Sequence, residues 1–193
     1  MTKTLWCIRH GTALHNILSR QIGDKAYTDY TDTPLVEKGK EESLEFGKRW
    51  KNLKNIDIVF VSPLTRTLQT ATNIFNGTDK KIIAIEDILE FPQGMHYCNK
   101  RKKKSELINL FPNVDFSLID ENPKYWQDDI QETVSELQKR IQTFFVFTRK
   151  RDEKNICIVS HSSFLKVLLF GEIGNWNNGL KHCYPYEYKL EHI

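Results

Sequence analysis

Two histidines follow directly on short apolar runs, where each could carry reactive chemistry. His10 comes after residues 5–8 and Arg9, and His161 comes after residues 155–160. An imidazole nitrogen can act as a base or a nucleophile near neutral pH, and a guanidinium offers planar donors that suit phosphate. Because ligands bind at the carboxyl ends of strands in open α/β sheets, these two strand ends predict a phosphate-binding site.

A second arginine is expected at the start of a helix. Residues 56–61 form another apolar run, and Ser62 and Pro63 follow as a predicted N-cap and first helical residue. A helix over residues 64–75 then places Arg66 in its first turn, beside unpaired backbone N–H groups. Such a helix start is an anion-binding site.

The elements that must position these residues alternate along the chain. Apolar runs predict strands at residues 5–8, 56–61, 82–85 and 155–160, with a last strand within 186–192. Helices are expected from residues 33–35 onward and over 64–75, 105–110, 133–147 and 162–170, whereas residues 12–30 are expected to form a loop. This alternation predicts an α/β protein, a three-layer α/β/α sandwich with a mostly parallel sheet and helices on both faces.

Composition sets broad limits. The 193 residues predict a single domain, 1–193, with ordinary hydrophobic (39%) and charged (27%) content. A net charge of +3 does not indicate nucleic-acid binding, and no apolar run approaches the roughly 20 residues of a membrane span. Four separated cysteines and the lack of a signal peptide favour a reduced, cytoplasmic protein.

Residues 90–129 are expected to form an insertion that covers the strand ends. An acidic group precedes it, with Glu86, Asp87 and Glu90 as candidate proton donors. A basic run over residues 100–104 is either a solvated loop or a contact for an anionic substrate. His96 and Cys98 lack the spacing of a structural zinc site, so we expect neither a metal nor a cofactor.

Four motifs together resemble the histidine phosphatase superfamily, also called phosphoglycerate-mutase-like. They are Arg-His-Gly at 9–11 with Asn16, Asp-Thr-Pro-Leu at 32–35, Ser-Pro-Leu-Thr-Arg-Thr-Leu-Gln-Thr-Ala at 62–71 and Val-Ser-His-Ser at 159–162. Cys-Asn-Lys-Arg at 98–101, Phe-Pro at 111–112 and Asp-Phe-Ser at 115–117 resemble a plant and fungal, mutase-like branch.

The resemblance implies a role for each candidate residue. His10 would be the nucleophile that becomes phosphorylated, and His161, Arg9 and Arg66 would hold the phosphoryl oxygens. Glu90 would be the general acid, chosen over Glu86 and Asp87 because it follows Ile-Leu and precedes a glycine. The residues expected to bind substrate are Asn16, Gly11, Thr12, Ser162, Lys100 and Arg101.

The implied activity is metal-independent hydrolysis of a small phosphate monoester through a phosphohistidine. A phosphoglycerate-mutase-type phosphotransferase remains an alternative, although the chain is short and lacks the Glu-Arg-His-Tyr-Gly motif of glycolytic mutases. A non-catalytic phosphate-binding module is a further alternative, disfavoured because both histidines are present. The expected partner is a small phosphorylated molecule, with no nucleic acid and no membrane; the substrate and the oligomeric state are not predicted.

Overall fold

A computed structural model describes residues 2–174 and 179–191, and its centre is a five-stranded sheet. The strand order is β3-β2-β4-β1-β5, in which β5 is antiparallel to β1 and the other neighbours are parallel. The predicted strands are confirmed; His192, at the end of the last one, lies outside the described residues. The strands are β1 (Lys3–Arg9), β2 (Ile58–Val61), β3 (Ile82–Ala84), β4 (Asn155–Ser160) and β5 (Pro185–Leu190).

Helices cover both faces of this sheet, as predicted. They are α1 (Leu14–Ile22), α2 (Lys25–Thr28), α3 (Glu37–Arg49), α4 (Thr65–Ile74), α5 (Lys104–Leu110), α6 (Val134–Arg149) and α7 (Ser162–Phe170), with 3-10 turns at Leu53–Asn55, Glu86–Ile88 and Tyr97–Asn99. No helix in the described ranges is long and apolar enough to cross a membrane.

Alternation along the strands divides the core into two layers. Ile58 and Phe60 of β2 belong to one apolar cluster, which includes Phe144 of α6 and Phe164 of α7. The residues between them face the opposite cluster, which includes Leu68 of α4 and Trp50 after α3. A strand with both faces buried reads as a continuous apolar run, which is why the sequence revealed these strands.

The parallel register brings the reactive strand ends together. Arg9 pairs with Ser160, so that His10 and His161 follow neighbouring strands at the same level. The His10 amide donates to the Ser160 carbonyl at 3.0 Å. The Ser62 amide donates to the Val159 carbonyl at 3.0 Å, which brings the end of β2 to the same edge.

Two expectations about local structure are wrong. Residues 12–30 contain α1 and α2 rather than a loop. The helix expected to open at residues 33–35 begins at Glu37, because the Leu35 and Val36 amides bond to Gln69 Oε1 and the Thr12 carbonyl instead. These two bonds tie the segment before α3 to α4, through Gln69, and to the loop that follows β1, through Thr12.

Gly11 is required for packing between backbones. A Cβ at Gly11 would lie 2.4 Å from the Gly39 carbonyl oxygen, and a Cβ at Gly39 would lie 2.1 Å from the Thr12 carbonyl oxygen. Neither backbone can retreat easily, so the two glycines allow α3 to pack against the loop after His10.

Candidate active site

A cavity of about 370 Å³ opens at the carboxyl ends of the parallel strands. This volume lies in the range of small-molecule sites. Predicted and unpredicted residues share its wall, which consists of Arg9, His10, His15, Asn16, Asp24, Tyr27, Arg66, Glu90, Phe91, Pro92, His96, Cys98, Asn99, Ser162, Ser163, Lys166 and Gly179.

His10 is held in one tautomer. Its Nδ1 lies 2.7 Å from the Gly11 carbonyl oxygen. Because a carbonyl can only accept, Nδ1 carries the proton, and Nε2 keeps its lone pair. Nδ1 of His182 donates in turn to the His10 carbonyl at 2.6 Å, a support that the sequence did not predict.

Both central histidines are neutral at physiological pH. Burial, followed by the positive charge of Arg66, holds the pKa of His10 and of His161 well below 6.5. Arg9 acts on both rings in the same direction. The lone pair of a neutral imidazole is the form that attacks phosphorus.

His161 lies behind His10 rather than on the cavity wall. The two ring centroids are 5.2 Å apart, and His161 is fully buried. Its Nε2 lies 2.7 Å from Ser62 Oγ. Ser62 therefore orients His161 and does not cap α4, which corrects the sequence prediction.

The start of α4 is fixed by a residue that is distant in sequence. Leu64 occupies the N-cap position without a side-chain cap, and Asp32 accepts from the Thr65 amide at 2.8 Å and from its hydroxyl at 2.6 Å. Lys102 contacts the same carboxylate at 2.9 Å. Pro63 is thus not the first helical residue, and Asp32 sets the position of Arg66 on α4.

Arg66 is oriented by the segment after the acidic residues. Its two terminal nitrogens donate to the Cys98 carbonyl at 2.7 Å and to Asn99 Oδ1 at 2.9 Å. Asn99 is fixed by its own bond to the Pro92 carbonyl at 2.9 Å. Arg9 is held in a similar way, by a 2.7 Å bond to the Leu180 carbonyl.

Unpaired polar atoms concentrate at this site. In the part of the chain that the structure describes, five buried side-chain nitrogen or oxygen atoms lack a hydrogen-bond partner. Three of them are Arg9 Nε, Arg66 Nε and His161 Nδ1. Buried polar groups normally have partners, so this concentration makes the site a candidate for binding an external group.

Glu90 stands at the N-terminus of α7. Its Oε1 accepts from the Phe91 amide at 2.9 Å and from the Ser163 and Phe164 amides at 3.1 Å each. Burial raises the pKa of Glu90, while these backbone bonds and the charge of Arg66 oppose the rise. Oε2 has only a long contact, 3.5 Å from the Ser163 amide, so it is the less engaged oxygen and the one better placed to carry a transferable proton.

The competing carboxylates lie elsewhere. Glu86 Oε1 accepts from Arg101 Nε at 2.5 Å and from the Lys124 amide at 3.1 Å, and Asp87 accepts from the Tyr125 hydroxyl. Neither lines the cavity that contains His10. Their positions favour Glu90 as the proton donor.

The backbone around Glu90 is held by a network that the sequence did not predict. Arg140 of α6 donates to the Asp87 carbonyl at 2.9 Å and the Leu89 carbonyl at 3.1 Å, and it pairs with Glu132 at 2.6 Å. Gln93 Nε2 donates to the Glu90 carbonyl at 2.8 Å. A single buried arginine on an amphipathic helix was the available signal.

Four predicted substrate-binding residues do not line the cavity. The amides of Gly11 and Thr12 bond to Thr70 Oγ1 at 3.0 Å and Glu42 Oε2 at 2.8 Å. Lys100 contacts Asp128, and Arg101 is buried against Glu86 and backbone carbonyls. These contacts lie within the protein and away from the cavity wall, so substrate binding by the four residues stays a prediction.

Asn16 and Ser162 do line the cavity, as predicted. Asn16 Oδ1 accepts from the Ala13 amide at 3.0 Å, and Ser162 Oγ accepts from the Leu180 amide at 3.3 Å. Each therefore has a structural partner as well as a place on the wall. Within the described ranges, no group of three or more His, Cys, Asp or Glu is arranged to hold a metal ion.

The sequence assigns the family of this α/β protein. Residues 5–179 match the family description "Histidine phosphatase superfamily (branch 1)", so the chain belongs to that superfamily.

Relatives support the same placement. Phosphoglycerate mutase-like protein 1 of Arabidopsis thaliana is 36% identical over 196 residues, covering 84% of this chain and 69% of the relative. This match confirms the predicted mutase-like branch. Phosphoserine phosphatase 1 of Hydrogenobacter thermophilus is 24% identical, over 86% of this chain and 74% of its own length.

A solved structure shares the fold. The alpha-ribazole phosphatase of Shigella flexneri superposes with a TM-score of 0.63 at 21% identity, covering 95% of this chain and 89% of its own. At this identity, the likeness bears on the fold alone.

Proposed function

We propose that this protein is a metal-independent phosphomonoesterase that works through a phosphohistidine on His10. The observation that carries the proposal is the pair of unpaired buried guanidinium nitrogens, Arg9 Nε and Arg66 Nε, from two residues on the wall of the cavity that contains a neutral His10. Donors aimed at a developing phosphoryl charge need no reorganisation during the reaction. A phosphate ester supplies the oxygens that these donors lack.

In the first step, His10 Nε2 attacks phosphorus and the ester P–O bond breaks. The electron pair of that bond leaves on the alkoxide oxygen, which takes a proton from Glu90 Oε2. Arg9 and Arg66 neutralise the charge spread over the phosphoryl oxygens. The Gly11 carbonyl, bonded to Nδ1, stabilises the ring as it becomes cationic.

In the second step, water attacks the phosphohistidine. The Glu90 carboxylate accepts a proton from this water, the N–P bond breaks, and the electron pair returns to Nε2. Inorganic phosphate is released, with His10 neutral and Glu90 protonated again.

A phosphoglycerate-mutase-type transfer shares the first step and is the second candidate, supported by the name of the Arabidopsis relative. It differs in the acceptor, which is a hydroxyl of a phosphoglycerate rather than water. Release of free phosphate, set against isomerisation of 3-phosphoglycerate, separates the two activities.

The decisive experiment is rapid-quench labelling with a ³²P-labelled phosphomonoester. We expect acid-labile, base-stable label on the wild-type protein and turnover that persists in EDTA. His10→Ala should show neither label nor turnover. Full turnover by His10→Ala, or loss of activity in EDTA with recovery on adding Mg²⁺, would refute the mechanism.

His182→Ala is the matched control for removal of an imidazole. This ring donates to the backbone carbonyl of His10 and packs against the His10 ring at 5.6 Å between centroids, but it does not line the cavity, so the label should still form, although more slowly. A loss of label equal to that in His10→Ala would show that the assay reports general damage to the site.

A further inference from the structure

A chain of aromatic rings leads away from the nucleophile along the cavity wall. The centroid of His15 is 5.9 Å from that of His10, Tyr27 is 5.8 Å from His15, and His96 is 5.7 Å from Tyr27. The last two rings are nearly parallel, with an angle of 23° between their planes. All four rings line the one cavity.

The outer two rings are partly open to solvent and pack against their aromatic neighbours. Tyr27 belongs to α2, and His96 directly precedes the 3-10 turn at Tyr97–Asn99. Both rings are half-buried, whereas His15 is 6% exposed and fixed by a 2.6 Å bond from Nδ1 to Thr33 Oγ1. A partly exposed pair of packed rings is suited to stacking with a flat ligand.

The charge of this wall differs from that of the phosphate end. Burial lowers the pKa of His15 well below 6.5 and also lowers that of His96, so both rings are neutral near pH 7. Phe91 and Pro92 add apolar surface to the same cavity. Arg9 and Arg66 are thus followed outward by a largely aromatic wall, whose ionisable side chains are Asp24, which acts on His96, and Lys166.

Resting on the proposed function, we propose that Tyr27 and His96 form the subsite for the leaving group, and that the substrates are phosphomonoesters of alcohols carrying a flat aromatic or heteroaromatic ring. The phosphoryl group lies beside His10, the connecting atoms pass His15, and the ring stacks against Tyr27 and His96.

The test measures binding without turnover. 3-Phenylpropylphosphonate and 3-cyclohexylpropylphosphonate have the same number of carbon atoms, a three-carbon linker that can pass His15, and a C–P bond that cannot be hydrolysed, but only the first has a flat π face. Isothermal titration calorimetry should show 3-phenylpropylphosphonate binding roughly 2- to 10-fold more tightly to the wild-type protein, the ratio expected from one aromatic pair.

Variants assign this preference to the wall. Tyr27→Ala should bring the ratio of the two dissociation constants close to one, Tyr27→Phe should keep it, and His96→Ala should reduce it. Tyr30→Ala is the matched control, because Tyr30 is exposed and does not line the cavity. Inorganic phosphate, too small to span from His10 to Tyr27, reports whether the phosphate end is intact in each variant.

Equal binding of the two phosphonates to the wild-type protein would overturn the subsite, as would a preference that persists in both Tyr27→Ala and His96→Ala. Absence of binding by phosphate and by both phosphonates would overturn the subsite and the proposed function together. A preserved preference in a protein that forms no phosphohistidine would uphold the subsite and refute the catalytic mechanism alone.

Discussion

The two ends of the cavity are built by different means. The phosphate end is formed where parallel strands stop, so that Arg9 and His10 are fixed by the register of the sheet. The outer end is formed by α1, α2 and residues 90–99, which belong to the connections between strands. Rigid strand ends suit invariant chemistry, whereas connecting segments can vary in shape around it.

Two buried arginines make this contrast concrete. Arg66 leaves Nε unpaired beside the cavity, whereas Arg101 donates through every guanidinium nitrogen to Glu86 and to backbone carbonyls. Both are at most 3% exposed. The first arginine is arranged to bind an external anion, and the second holds the insertion against the sheet.

The largest expected effect is on Arg66. Arg66→Ala removes a charged donor from the transferring phosphoryl group, so kcat/KM with nitrophenyl phosphate should fall by about 10²–10³-fold. Arg66→Lys keeps the charge without the planar fork and should recover only part of the loss. Wild-type kcat/KM in Arg66→Ala would contradict the assignment.

Arg101→Ala should lower the stability of the protein and leave its activity nearly unchanged, the opposite of Arg66→Ala. It leaves the Glu86 carboxylate buried without its partner, which costs about 3–5 kcal/mol in the free energy of unfolding. The midpoint of urea unfolding, followed by circular dichroism, measures the loss. Below that midpoint, kcat should stay close to that of the wild-type protein.

A double substitution is the control for this stability effect. Arg101→Met with Glu86→Leu removes both charges and should be less destabilised than Arg101→Ala, because no uncompensated carboxylate remains. Equal destabilisation of the two proteins would show that lost packing, rather than the buried charge, dominates.

The phosphate end was predictable because its signals are local. Apolar runs that stop at Arg9-His10 and at His161 mark strand ends directly in the sequence, and parallel pairing then brings them together. The predicted Ser62 cap failed because Asp32, 33 positions before Thr65, supplies that bond. A sequence pattern does not show such a distant partner.

The outer end was less predictable. α1 carries Leu14, Ile17, Leu18 and Ile22 at helical spacing, a signal present but hidden among polar residues. The basic run gave no indication that Arg101 turns inward while Lys100 stays at the surface. That difference depends on Glu86 and on the carbonyls of residues 120–122, which only the folded chain brings near.

A third prediction separates leaving groups at Glu90. Glu90→Gln removes the transferable proton, so kcat for an alkyl phosphate should fall by about 10²-fold. The phosphorylation step with nitrophenyl phosphate should fall much less, because nitrophenolate leaves without protonation. Glu86→Gln and Asp87→Asn should lack this dependence, and finding it in either of them alone would reassign the acid.

The pH dependence of alkyl phosphate hydrolysis follows from the protonation states of His10 and Glu90. The first step needs neutral His10 and protonated Glu90. Because the pKa of His10 lies well below 6.5, its neutral form persists into acidic solution. Because the pKa of Glu90 is raised above 4.5, its protonated form persists to a higher pH than that of an ordinary glutamate. The kcat/KM for alkyl esters should therefore peak in mildly acidic solution and decline as pH rises through the Glu90 pKa, a decline absent in Glu90→Gln.

The smallest expected effect is at Lys100, where the basic run meets solvent. Its ammonium lies 3.2 Å from Asp128 Oδ1 and 5.1 Å from the Trp126 ring centroid, outside the cavity wall. Lys100→Ala should therefore leave unchanged the ratio of KM for a sugar bisphosphate to KM for nitrophenyl phosphate, as should the exposed control Lys103→Ala. A selective rise in KM for the bisphosphate in Lys100→Ala would show that the cationic surface extends the site beyond the aromatic wall. The division of the cavity into a phosphate-binding end and an aromatic outer end would then fail.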